Sequence, residues 1–191
     1  VEPRVSAGWQ ITPALRLKGA WGQYHQFVNR VENEDVLQGS RDFWLLSDSA
    51  LTPQASRHAI VGVLYDRPTW ALNIEAYDKT LEHATLFSRR YRQAFGVNTG
   101  AFFFLGTGHT RGLEVLLERK QGALTGWLSY TLMKSMNVFP DVDQAQTFPD
   151  MYDQRHEVKG FGSWDLGAWS FSATAIYGSG LPYTAPISQY Q

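Results

Sequence analysis

The sequence predicts an all-β protein: a transmembrane antiparallel β-barrel portion of about eight strands, with short periplasmic turns and long extracellular loops. Three observations carry that expectation. A unit of strand, very short turn, strand and long polar loop recurs along the 191 residues. Within the clearest strands, apolar and polar residues alternate with period two. Tryptophan collects beside the short turns, as it does where a ring is buried at a membrane–water interface while its N–H stays wet.

The short turns are expected at residues 12–14, 67–69, 121–123 and 166–168. Long connections are expected at 28–56, 81–108 and 137–153, with a fourth beginning near Leu181. In residues 15–27, Leu15, Leu17 and Trp21 alternate with Arg16, Lys18 and Gln26. In residues 70–79, Trp70, Leu72, Ile74 and Ala76 oppose Asn73, Glu75 and Lys79. In residues 111–120, Leu113, Val115 and Leu117 oppose Glu114, Leu116 and Glu118. In residues 169–177, Trp169, Phe171, Ala173, Ala175 and Tyr177 oppose Ser170, Ser172 and Thr174. Strands at 5–11, 58–66, 124–135 and 156–164 are expected on weaker patterns, with small residues on both faces. Full charges on the polar face suit a wet lumen better than a packed core. Trp9, Trp70, Trp164 and Trp169 lie close to short turns and form the expected periplasmic girdle. Tyr24, Phe27, Tyr77, Tyr130 and Tyr177 lie near the loop ends, where the opposite girdle is expected.

Composition sets the bounds. The 43% hydrophobic content resembles that of a soluble chain, as does a mean hydropathy of −0.30. No stretch approaches the about 18 apolar residues of a membrane helix, but a membrane strand exposes only alternate residues to lipid and needs no such stretch. Aromatics at 14%, seven Trp and 17 Gly suit interfacial girdles and bent strands. A net charge of −1 offers no basic patch for nucleic acid. The absence of cysteine excludes disulfides, thiol catalysis and Cys-ligated zinc. The chain begins at Val1 with no signal sequence, whereas a protein of this class is exported. Both ends are therefore expected to be cuts in a longer polypeptide.

Several segments resemble the barrel half of TonB-dependent outer-membrane receptors. One is the loop at 33–46, Asn-Glu-Asp-Val-Leu-Gln-Gly-Ser-Arg-Asp-Phe-Trp-Leu-Leu. Another is the step into a strand at Gly106, Gly108, Arg111, Gly112 and Glu114, with the strand at 124–132 following it. Asp153-Gln154-Arg155-His156-Glu157 is similar to a second strand-entry step of the family, and Gly180-Leu181-Pro182-Tyr183-Thr184 to a sequence that follows a later strand. The resemblance spans nearly the whole chain, from about Glu2 to Tyr190. It implies a receptor of about 22 strands whose lumen is plugged, powered through TonB, importing an iron–siderophore, cobalamin or an oligosaccharide. On that resemblance the chain is the C-terminal part of the barrel, and the plug, the TonB box and the final strands lie outside it.

A ligand would first meet the loops. Arg41, Asp42, Phe43 and Trp44 place an aromatic pair beside a cation, a combination that stacks on flat ligands and pairs with anions. Phe87, Arg89, Arg90, Tyr91 and Arg92 form a second basic aromatic cluster. The candidate ligand-binding residues are Arg41, Phe43, Trp44, Phe87, Arg89, Arg90, Tyr91 and Arg92. Loop packing and contact with outer-membrane lipid and lipopolysaccharide phosphates are the competing roles for these side chains. Of the run Phe102-Phe103-Phe104, at least one ring must face away from lipid, because neighbours in a strand point to opposite faces; packing is its expected role. Asp141 and Asp143 have spacing suited to calcium, although a solvated acidic loop is the commoner outcome. Five scattered histidines without metal-ligand spacing and the absence of a G-x-S-x-G elbow argue against an enzyme. No cofactor and no metal is expected. Two other readings stay open: a complete eight-stranded outer-membrane barrel acting as an anchor or adhesin, and a soluble β-sandwich binding module with the tryptophans in its core.

Overall fold

The computed structural model describes residues 1–31, 43–48, 51–87 and 103–183. Its strands in chain order are β1 (Arg4–Thr12), β2 (Leu15–Gln26), β3 (Val28–Val31), β4 (Phe43–Leu46), β5 (Gln54–Asp66), β6 (Trp70–Phe87), β7 (Phe103–Arg119), β8 (Leu124–Val138), β9 (Phe148–Pro149), β10 (His156–Asp165) and β11 (Ser170–Gly178). The long strands form one antiparallel meander in the order β1-β2-β5-β6-β7-β8-β10-β11, with β9 added beside β8. β3 and β4 make a separate hairpin within the first long connection. β1 and β11 stand at opposite edges of the sheet and do not pair with each other.

The four short turns fall where the sequence places them, and each has a local cause. Pro13 cannot donate to a ladder, and the Thr12 hydroxyl accepts from the N–H groups of Ala14 (3.3 Å) and Leu15 (3.0 Å), closing the β1–β2 turn. Pro68 sits in the β5–β6 turn, closed by Arg67 N–H donating to the Trp70 carbonyl at 2.8 Å. Gly122 (φ 107°) and Gly167 (φ 73°) adopt left-handed backbone in the other two turns, a conformation that a side chain opposes.

The loop side differs from expectation. β6 and β7 are 18 and 17 residues long, so residues 81–87 and 103–108, both ends of the segment expected to be loop, are paired strand. The pairing continues through Leu81↔Gly108 and Thr85↔Leu105 to Phe87↔Phe103, interrupted by a register shift at His83 (φ 57°). The physical reason is the extra residue at His83, which breaks the two-residue period, after which apolar residues such as Leu86 and Phe87 stand side by side instead of alternating. Alternation disappears from the sequence while the backbone ladder, which does not depend on it, persists. Likewise β5 begins at Gln54, and the first long connection contains the β3–β4 hairpin.

The register divides the side chains into two faces. One face is apolar on the short-turn side: Trp9, Leu17, Val63, Ile74, Val115 and Tyr130 are successive neighbours along a single row of pairs. Much of this face is exposed, including Trp9 (67%), Val61, Trp164 and Trp169 (69%). Towards the loops the same face turns polar at the row Asp78, Arg111 and Lys134. The opposite face carries Arg16, Lys18, Glu75, Glu114, Glu157 and Lys159. Among the described residues the buried hydrophobics are few and scattered, and none forms a core against the apolar face. The expected loop-side girdle needs correcting. Tyr24 and Tyr77 pair in register with Ser56 and Gly112 and therefore lie on the charged face, whereas Tyr130 and Tyr177 lie on the apolar one.

Candidate functional site

The charged face is a lattice of polar contacts laid over glycines. Lys18 on β2 and Glu75 on β6 form an ion pair that crosses β5 above Gly62, with which both are in register. A Cβ on Gly62 would stand 2.9 Å from the Lys18 side chain and 3.0 Å from that of Glu75, so the bridge needs glycine there. Asn73 donates to Glu75 at 2.8 Å. On β7, Gly112 accepts the Tyr77 ring, whose atoms lie 2.5 Å from where its Cβ would be. Lys79 rests over Tyr77 at 4.7 Å and Arg4 over Tyr24 at 4.5 Å, with Tyr24 tilted against His58 at 4.7 Å. These contacts hold charges in place on a face with no apolar cover, an arrangement suited to water or to a polar occupant.

Near the loop end of β2, Glu2 accepts from the His25 backbone N–H (2.7 Å) and from Arg4 (2.7 Å). The amide of His25 holds its carboxyl below the usual carboxylate range, against an opposing effect of burial and with a further contribution from Arg4. At the opposite, short-turn end the Lys120 ammonium is raised by its bond to Asp66 (2.5 Å).

Of the residues expected to bind ligand, Trp44 on β4 is 65% exposed and pairs in register with Arg30. Phe43 starts β4, and Phe87 ends β6 opposite Phe103. Arg41, Arg89, Arg90, Tyr91 and Arg92 lie outside the described residues. Phe103 takes the packing role: it is buried with Leu51 against Leu45 and Leu105, tying the first long connection to the top of β7. Gln54 Nε2 donating to Thr85 (3.1 Å) and His83 bonded to the Pro53 carbonyl (3.2 Å) anchor the same region.

The acidic loop after β8 is anchored through its carboxylates. Asp153 is 6% exposed and accepts from the Ser135 N–H (2.7 Å) and from Arg155 (2.8 Å). Asp150 accepts from Asn137 (2.7 Å) and from the Tyr152 N–H (2.9 Å). The last ladder pair between β10 and β8 is His156↔Leu132, so Asp153 satisfies a β8 donor just past the point where its partner strand ends. Asp141 and Asp143 remain exposed, and the described residues contain no group of three or more His, Asp or Glu placed to hold a metal ion. Asp153 and Arg155 thus fill a ladder-ending role that spacing alone did not reveal.

The row Asp78, Arg111 and Lys134 also escaped the sequence reading, because only register brings the three together. Asp78 Oδ2 lies 2.7 Å from His109 Nε2, and Arg57 pairs with Glu82 at 3.2 Å. Compared with known proteins, the chain matches no family model and no curated sequence.

Proposed function

We propose that this chain forms part of an outer-membrane β-barrel of the TonB-dependent transport kind, admitting a scarce nutrient such as an iron–siderophore, cobalamin or an oligosaccharide. The observation that carries the reading is the contrast between the two faces of one sheet. An exposed apolar band lined with tryptophan backs directly onto fixed ion pairs. Lipid outside and a wet lumen inside satisfy both faces, whereas a water-soluble sheet would have to hide the band. Strand length agrees. An 18-residue strand extends about 60 Å, more than the about 9–11 residues that a tilted membrane strand needs. β6, β7 and β8 would therefore project beyond the bilayer on the loop side and carry a ligand-collecting rim. The unpaired edges at β1 and β11 support a portion of a wider barrel over a closed eight-stranded anchor, which would join them.

In this reading the lumenal lattice around Lys18, Glu75 and Tyr77 faces the occluding domain of the barrel, and TonB supplies the energy. Arg41, Phe43, Trp44, Phe87, Arg89, Arg90, Tyr91 and Arg92 are the proposed ligand contacts of the rim. The test is uptake. Cells with and without the protein, each with and without TonB, are given labelled ferric chelates, cobalamin or oligosaccharides. Accumulation of one class that requires both proteins supports transport. Accumulation indifferent to TonB removes the reading.

A further inference from the structure

Arg111 on β7 and Lys134 on β8 are direct cross-strand partners on the apolar face. Like charges in that position repel and weaken a ladder. The nearby acids are engaged elsewhere: Asp78, the register partner of Arg111 on β6, binds His109, and Glu82 binds Arg57. Among the described residues, neither Arg111 nor Lys134 has a hydrogen-bond or ion-pair partner. Both cations line a groove of about 340 Å³, together with His109, Met136, Val138 and Thr147. One row nearer the short turns the surface becomes Leu113 and Leu132, then Val115 and Tyr130.

We infer that this groove binds the phosphate of an anionic, acyl-bearing lipid of the outer leaflet. The phosphate sits between the Arg111 guanidinium and the Lys134 ammonium, and the acyl chains lie on the Leu113–Leu132 and Val115–Tyr130 rows. A phosphate supplies the missing counter-charge for both cations, and the planar guanidinium fork matches its oxygens. His109 lines the same groove and stays paired with Asp78. The position favours a lipid over a dissolved anion, because the cations stand at the border where the apolar band gives way to polar residues, the depth of a headgroup. The inference rests on the proposed reading that the apolar face meets lipid.

The test uses the intact protein in mild detergent, titrated by native mass spectrometry with a bisphosphorylated, acylated glucosamine lipid. The same lipid stripped of phosphate and inorganic phosphate serve as comparison probes. The wild-type protein is expected to bind the phosphorylated lipid, and the Arg111→Gln/Lys134→Gln double variant to bind it about 30-fold more weakly, at about 1 kcal/mol per cation near an anionic surface. The dephosphorylated lipid should show a comparable loss on the unaltered protein, a comparison that does not depend on any variant folding. Arg111→Lys, which keeps the charge but loses the planar fork, should bind the lipid with an affinity between those of the wild type and the double variant. Equal binding by the double variant, or equal binding of the dephosphorylated lipid, overturns the inference. Displacement of the lipid by inorganic phosphate also overturns it, since the site would then be one for a free anion. Bilayer insertion of the wild type is scored in parallel. Insertion without phosphate-dependent lipid binding removes this inference alone, whereas failure to insert removes the membrane reading as well.

Discussion

Glycine sets the residue-scale chemistry of the charged face. Gly112 leaves room for the Tyr77 ring, and a Cβ there would also meet the Leu132 carbonyl, a backbone atom that cannot swing aside. Gly112→Val is therefore expected to destabilise the folded protein by about 1–3 kcal/mol, as overpacking does. Chemical denaturation in detergent reads this as a lower midpoint, and an unchanged midpoint would contradict the packing. The Lys18–Glu75 bridge over Gly62 calls for a smaller figure, because both side chains keep partial access to solvent. A double-mutant cycle on Lys18→Met and Glu75→Gln should return a coupling of about 0.5–1 kcal/mol; zero coupling would show that the two charges are independently solvated. Glu2 gives a pH prediction with a definite sign. Its folded-state pKa is depressed, first by the His25 amide, so its contribution to stability is present above the unfolded value and disappears as pH falls through the lower folded value. The His25 amide resonance, followed by NMR, should titrate below the ordinary glutamate range. Titration at or above that range would remove the hydrogen bond from the account.

At the scale of elements, the ends of strands decide what the sequence reveals. The turns at Pro13, Pro68, Gly122 and Gly167 were legible because each carries a residue with a fixed backbone preference. The short-turn halves of β2, β6, β7 and β11 were legible because their two faces differ in polarity. The loop-side half of β6 was not. The extra residue at His83 shifts the period, and Leu86 and Phe87 are apolar neighbours, so no two-residue alternation runs through that end of the strand. The faces of Tyr24 and Tyr77 follow from alternation within β2 and β6, opposite to Trp21 and Ala76. The meeting of Arg111 with Lys134 was hidden for another reason: it depends on register between strands, which no single strand encodes. The Asp153 anchor is an element-scale device, since it satisfies the Ser135 N–H where β10 has ended. Asp153→Ala should leave that buried donor unpaired at a cost of about 1–3 kcal/mol. Hydrogen exchange at the Ser135 amide should accelerate selectively, and exchange unchanged from wild type would show that the strand end is held by something else.

For the whole molecule, the defining property is one sheet with two incompatible faces. Trp9, Trp164 and Trp169 belong to the apolar face near the short turns, whereas Trp127, in register with Glu118 and Phe161, belongs to the charged face. The assignment of the two faces is open to a direct test. The measurement is fluorescence quenching of the intact protein reconstituted into bilayers of brominated lipid, using variants that retain one tryptophan each. Lipid bromine should quench Trp9, Trp164 and Trp169 strongly and Trp127 weakly, while a water-soluble quencher entering the lumen should reach Trp127. Quenching of Trp127 by lipid, or protection of the other three from it, would contradict the assignment of lipid and water to the two faces of the sheet.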